Sequence, residues 1–317
     1  MRAYLLKRVL MTIMVLVLVT VYLTLLIHIV PGDPAKSLLG PRANPERIAK
    51  IRSAMNLDKP LLTQIGLSIG SLLRGDLGTD LFTGRSIGEL IRAALPHTLI
   101  LAWTSLTMAG IIGIPLGVYS ATHPDSWLDR FTAIISISFI TVPSYVGGLF
   151  LLLLFAVKFQ LMPAIGLGET GDLWDYTKHL ILPASALAIT WVGYLARLVR
   201  ASLLEVLNQT YIRAEMAAGI PLHKIYYRFA LKNAIIPTVA VLGLGVGNLM
   251  AGAVFVELIF TRPGMGTLIY NAIQARNYPV VRSGVMVVAF LFVAANLLAD
   301  VLYTYLDPRI QLGKARS

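Results

Sequence analysis

Cysteine is absent from the 317 residues. Disulfides, thiol catalysis and cysteine-ligated metals are therefore excluded. Charge is scarce as well, with Asp, Glu, Lys and Arg making up 14% of the chain, against about a quarter in soluble domains. No G-x-x-x-x-G-K-[ST] occurs, so the chain lacks the phosphate-binding loop of an ATPase. Any energy source lies in another subunit or in an ion gradient. No H-E-x-x-H occurs either, and His28, His97, His123, His179 and His223 lack close ligand spacing, which argues against metal catalysis. Gly66-Leu67-Ser68-Ile69-Gly70 fits G-x-S-x-G. That motif has meaning only at a strand–turn–helix elbow with a triad. Here it sits in a helical-looking segment and reads as a chance match.

What is present is grease. Apolar residues make up 56% of the chain, in six runs at 9–30, 98–120, 131–157, 180–199, 235–260 and 283–306. Each reaches the roughly 20 helical residues, about 30 Å, needed to cross a hydrocarbon core. A helix satisfies its own backbone hydrogen bonds, which lipid cannot do. The first run is too long for a signal-peptide core and is expected to stay as a span. The expectation is an all-α membrane protein of six transmembrane helices. The net charge of +11 is spread over loops and chain ends, so it is read as orientation rather than as a nucleic-acid partner. With the N-terminus inside, the inner segments hold 13 Lys and Arg and the short outer loops hold 5. Positive charge favours the cytoplasmic side, which predicts both termini in the cytoplasm.

The loop at about 31–97 is expected outside and partly helical. Asn44-Pro45-Glu46 offers a capping side chain, a first-turn proline and a nearby acid, and Pro60 opens a second helix ending near Gly75. Gly113 with Gly117, and Gly243 with Gly247, form G-x-x-x-G pairs that mark close helix contacts. These serve packing within the bundle, a subunit interface or a moving pathway. Asp300, four residues after Asn296, reads as a helix–helix hydrogen bond near the inner end, while Glu257 and His28 fall near outer span ends where water is available. Few charges lie within the spans, which weakens an ion-coupled carrier.

Residues 211–239 read YIRAEMAAGIPLHKIYYRFALKNAIIPTV, too basic to cross a bilayer and too patterned for a linker. Gly219-Ile220-Pro221 divides the stretch. Glycine suits the left-handed position that ends a helix, and proline suits the first turn of the next. Leu222, Ile225, Tyr226 and Phe229 form one apolar stripe, and Lys224, Arg228 and Lys232 form a basic one. Ala214, Ala217 and Ala218 present little bulk. The pattern predicts a cytoplasmic helix–turn–helix with a compact tip. On periodicity alone it either lies on anionic lipid or docks a cytoplasmic partner.

Tyr211-Ile212-Arg213, Ala217-Ala218-Gly219, Ala230-Leu231-Lys232-Asn233-Ala234 and Pro237 resemble the EAA-type cytoplasmic loop of ABC-importer permeases. The likeness is nearest to the first (B-type) permease subunit of dipeptide, oligopeptide and nickel importers. It continues through Pro31-Gly32-Asp33-Pro34, Leu57-Asp58-Lys59-Pro60-Leu61, Gly75-Asp76-Leu77-Gly78 and Leu95-Pro96-His97-Thr98-Leu99. Later come Pro263-Gly264-Met265-Gly266, Arg276-Asn277-Tyr278-Pro279, Asn296 to Asp300, and Asp307-Pro308-Arg309-Ile310. No single tetrapeptide is specific, but the ordered set is. Three positions depart from the family pattern: Ala218 stands where Lys is common, Met216 where Arg is frequent, and Asn277 where Asp is common.

The resemblance implies a single permease domain over 1–317, in a bacterial cytoplasmic membrane, for di- or oligopeptides, with nickel or another small solute as the alternative. It implies no catalysis and no cofactor in this chain, with ATP and Mg²⁺ on two cytoplasmic ATPase subunits. The other partners are a second, homologous permease, an external solute-binding protein and membrane lipid. The coupling loop, about 200–234, is implied to contact the ATPase through Tyr211, Arg213, Glu215, Ala217, Ala218, Gly219, Ile220, Pro221, Leu222 and His223. An ABC permease co-purifies with ATPases, whereas an ion-coupled carrier transports alone.

Overall fold

The computed structural model describes residues 2–29, 35–36, 44–169 and 171–306. Pro31-Gly32-Asp33-Pro34, the tail from Asp307, and the Asp300 side chain fall outside the described residues. Among the described residues the structure is helical, with one isolated bridge between Thr79 and Ser86 in place of any sheet. Four helices are long and apolar enough to cross a membrane: Ile87–Thr122, Leu173–Leu207, Ile236–Ile259 and Tyr278–Ala299. The described apolar part of the first helix, Leu10–Leu26, is shorter.

The run expected as one span at 131–157 is broken. Helix Trp127–Thr141 and the helical segment Ser144–Lys158 meet at a bend of 106°. Pro143 has no N–H and pushes the residue before it out of helical geometry, and Val142 is accordingly extended at φ −80°, ψ 121°. Counted as one, the bent pair brings the apolar spans to five.

The chain divides into two compact units. One comprises Met1–Thr98 with Pro263–Ala294, the other Leu99–Arg262 with Ala295–Ser317. In the first unit, helix Arg2–Ile29 packs against Leu61–Leu73. The loop helices start as their residues dictate. Asn44 Oδ1 accepts from Glu46 N at 3.0 Å to open Pro45–Ala54, and Leu61–Leu73 follows Pro60. Ser68 lies within that second helix, so its G-x-S-x-G forms no elbow. Its hydroxyl donates to Gln64 O at 2.8 Å and accepts from Arg282 Nη1 at 2.8 Å. A helix absent from the sequence reading, Met265–Gln274, covers Ile87, Ile91 and Ala94 in a small core.

The second unit is built around Leu173–Leu207, which buries residues along nearly its whole length. Small residues let its neighbours approach. A Cβ on Gly117 would stand 2.6 Å from Ala196 O, one on Gly113 would stand 2.9 Å from Val192 O, and one on Gly193 would stand 2.7 Å from Ser136 O. A Cβ on Gly243 would likewise sit 2.8 Å from Ala299 Cβ. The Gly113/Gly117 pair and Gly243 thus serve packing within the chain. Glu257 differs from its reading: it is 1% exposed rather than at a wet span end, and it acts electrostatically on the equally buried Arg262. Arg262 also donates to His179 O at 3.2 Å and Tyr176 Oη at 3.3 Å.

Candidate functional site

Two helices overrun the apolar runs that define them. Ile87–Thr122 has 36 residues and Leu173–Leu207 has 35, each about 50 Å long at 1.5 Å per residue. Their ends supply Val118, Ala121, Val199, Leu203 and Val206, and onto these the segment after Leu207 folds back. Ile212, Ile225, Ala230 and Ala234 are buried there, each at 1% exposure or less. Burying an isoleucine side chain contributes about 2 kcal/mol, so the base of the segment is firmly held.

Helix Thr210–Ala217 ends by the geometry its glycine allows. Gly219 sits at φ +78°, a region where a side chain is strained. Gly219 N donates to Met216 O at 3.0 Å and Ile220 N to Glu215 O at 3.3 Å, the paired closure of a Schellman motif. Nothing lies within 4 Å of where a Gly219 Cβ would be, so the tip faces open space. Pro221, at φ −64° and ψ 138°, caps Leu222–Lys224 from one residue outside the helix, not from its first turn.

The expected stripe is shifted. After Lys224 the chain forms a π-helical turn, Ile225–Ala230, before resuming as Leu231–Ala234. Ile225 and Ala230 are buried at either end of that turn, Tyr226 and Phe229 are half-buried, and Leu222 is left 54% exposed at the tip. Lys224, Arg228 and Lys232 are all exposed. Asn233 Nδ2 donates to Tyr211 Oη at 2.9 Å and ties the second arm to the first.

The ten residues singled out in the sequence therefore form one hairpin. Arg213, Ala217, Ala218, Gly219, Pro221, Leu222 and His223 are exposed, Tyr211 is exposed at 37%, and Glu215 and Ile220 are half-buried. The arrangement presents a narrow tip of small and apolar groups with basic side chains behind it. Ala218 and Met216, two of the three departures from the family pattern, are both exposed.

Two features escaped the sequence. Asp129 and Arg200 pair across two helices, a relation no spacing announces. The second is a cavity lined by Thr190, Tyr194 and Asn248, whose visible signal was Asn248, a lone amide midway along an apolar run.

Comparison with known proteins gives the family and the fold. Residues 113–312 match the model of the binding-protein-dependent transport system inner membrane component, and residues 1–102 match its N-terminal membrane component. The chain is 38% identical to a dipeptide transport system permease protein of Alkalihalophilus pseudofirmus, covering 98% of this chain and 100% of that one. It is 39% identical to a probable D,D-dipeptide transport system permease of Escherichia coli, covering 90% and 91%, and 34% identical to a glutathione transport system permease of Shigella flexneri, covering 97% and 98%. Among solved structures, a methionine ABC transporter in an inward-facing conformation shares the fold at TM-score 0.58 and 19% identity, over 69% of this chain and 96% of that chain.

Proposed function

The chain belongs to the inner-membrane component family of binding-protein-dependent transport systems and is the permease subunit of an ABC importer, and from that premise we propose that it carries di- or oligopeptides. The named relatives support the peptide reading, since two of them are dipeptide permeases and one is a glutathione permease. In this reading the whole chain is one permease domain in the bacterial cytoplasmic membrane. Six helices span it, both termini are cytoplasmic and the 31–97 loop is outside, as the bias of 13 basic residues in the inner segments to 5 in the short outer loops favours; the 31–97 loop holds 9 more but exceeds the roughly 60 residues at which the rule loses force. A homologous permease completes the pore, an external binding protein delivers the solute, and two ATPases bind ATP and Mg²⁺.

The observation that carries the reading is the hairpin of residues 211–223. Its base is locked into the bundle and its tip is bare. Such an element transmits force: an ATPase groove that grips Ala217 to His223 differently in its two nucleotide states shifts the inward and outward populations of the permease. The chain itself catalyses no covalent step.

The test is Gly219→Arg against Gly219→Asn in proteoliposomes holding the assembled importer. Asn tolerates the left-handed region, so it keeps the turn, whereas Arg adds a long charged group at the narrowest point. The Arg variant is expected to insert and to lose stimulation of ATP hydrolysis by loaded binding protein, while the Asn variant keeps most of it. Full stimulation in Gly219→Arg would make the hairpin a lipid-surface element, where added positive charge is favourable by about 1 kcal/mol.

A further inference from the structure

Asn248 lies midway along Ile236–Ile259 and is exposed. Thr190 and Tyr194 lie one turn apart on Leu173–Leu207, half-buried and 43% exposed respectively. All three line one cavity of about 390 Å³, together with Trp191, whose ring meets that of Tyr194 edge-on at 6.0 Å. Among the described residues, neither the Asn248 amide nor the Thr190 and Tyr194 hydroxyls has a hydrogen-bond partner. Lipid cannot satisfy such groups, and leaving them unmet in hydrocarbon is costly. This face is therefore not lipid-facing, unlike that of Ile111, an apolar side chain 69% exposed on its own helix. Ile140 and Tyr194 also line a second cavity of about 710 Å³, whose wall includes Asp129, Arg130, Arg197 and Arg200. The two cavities therefore share a wall at Ile140 and Tyr194.

We propose that Thr190, Tyr194 and Asn248 form a water-filled solute site midway across the membrane, where the Asn248 amide and the two hydroxyls take the peptide groups of the passing solute. The inference rests on the reading of the chain as a peptide permease and adds the residues of the path. An amide side chain offers a donor and an acceptor together, which matches the paired N–H and C=O of a peptide bond. Trp191 and Tyr194 supply apolar surface for the residue side chains. The alternative occupant of this face is the second permease subunit.

The chain has no cysteine, so single thiols report cleanly. In the assembled importer, Asn248→Cys, Tyr194→Cys and Thr190→Cys are expected to react with a charged methanethiosulfonate, followed on this chain's band, at least ten times faster than Ile111→Cys. Trapping the ATPases with ATP and vanadate is expected to change those rates several-fold. Rates at the Ile111→Cys level in both states would overturn the proposal and assign the face to the partner permease. Uptake of radiolabelled alanyl-alanine reads the solute contact: Asn248→Leu is expected to lose at least tenfold, and Asn248→Gln to keep most of it, with ATPase co-purification unchanged in both. Wild-type uptake by Asn248→Leu would overturn the site, whereas absence of uptake by the wild-type importer would instead sink the peptide reading.

Discussion

Arg200 forks onto Asp129, with Nε to Oδ1 at 2.7 Å and Nη2 to Oδ2 at 2.9 Å. The carboxylate is 6% exposed and the guanidinium 37%. Asp129 also accepts from Asp125 N at 3.1 Å, and its own N–H donates to Ser126 Oγ at 3.2 Å, so the turn before helix Trp127–Thr141 is fastened at the same point. The pair links that helix to Leu173–Leu207 about two turns before the end that carries the hairpin.

The exposure difference sets the sign of a mutational asymmetry. Arg200→Ala strands a buried carboxylate, whereas Asp129→Asn frees a guanidinium that water already reaches. Arg200→Ala is expected to cost about 1–3 kcal/mol and Asp129→Asn less, measured by denaturant unfolding in detergent. A double-mutant cycle is expected to show coupling of roughly 1 kcal/mol or more. Strict additivity would mean that the pair does not hold the two helices together.

Gly117 and Gly147 make a matched test of close packing. A Cβ on Gly117 would lie 2.6 Å from Ala196 O and 2.8 Å from Val199 Cβ, while one on Gly147 would meet nothing within 4 Å. Both sit in helices, so alanine improves local propensity at each by about 1 kcal/mol. Gly147→Ala is therefore expected to be neutral or stabilising, and Gly117→Ala to lower the unfolding temperature and reduce the amount of folded permease in the membrane. Equal effects at the two sites would contradict the close backbone contact of Ile87–Thr122 with Leu173–Leu207 at Gly117.

Local chemistry was the legible part of this fold. The Asn44 cap, the helix after Pro60 and the left-handed Gly219 follow from rules that act over a few residues, and each stands as read. Pro143 was in plain view, yet a run judged on hydropathy alone passes over a bend, because apolar content carries no direction. The π-helical turn at Ile225–Ala230 is hidden for a related reason: one extra residue per turn leaves composition unchanged and shifts only the buried face. Glu257 meets Arg262 in the turn just beyond its own helix, five positions on, while Asp129 takes its partner from 71 positions away, and such pairing across helices is decided by packing that no periodicity records. The hairpin was readable because a glycine, a proline and three evenly spaced basic residues state its turn and its outer face locally. What anchors it, the overrun of two distant helices, was not.

Asn277 carries the last prediction, at a position where the resembling family commonly has Asp. Its Nδ2 donates to Asp80 Oδ1 at 2.7 Å. Asp80 also takes Phe82 N at 2.8 Å and the Thr83 hydroxyl at 2.9 Å. Burial pushes the Asp80 carboxyl up, but these hydrogen bonds outweigh it and hold it below its ordinary value. A depressed carboxylate contributes stability that is present above its unfolded value, near 4, and is lost as pH falls through the folded one. Asn277→Asp replaces the donor by a second acceptor against that oxygen, so two carboxylates face each other at neutral pH. One of the two is then raised rather than lowered, and the penalty shrinks as acid protonates it and restores a donor. Relative to wild type, the variant is expected to lose about 1–3 kcal/mol at pH 7 and to recover much of that between pH 5 and 4, roughly where a raised carboxyl titrates. Thermal unfolding in detergent across that range, with proteolysis around residues 76–86 as a local readout, measures it. A deficit that stays constant from pH 7 to pH 4 would show that Asn277 acts through shape and not through its bond to Asp80.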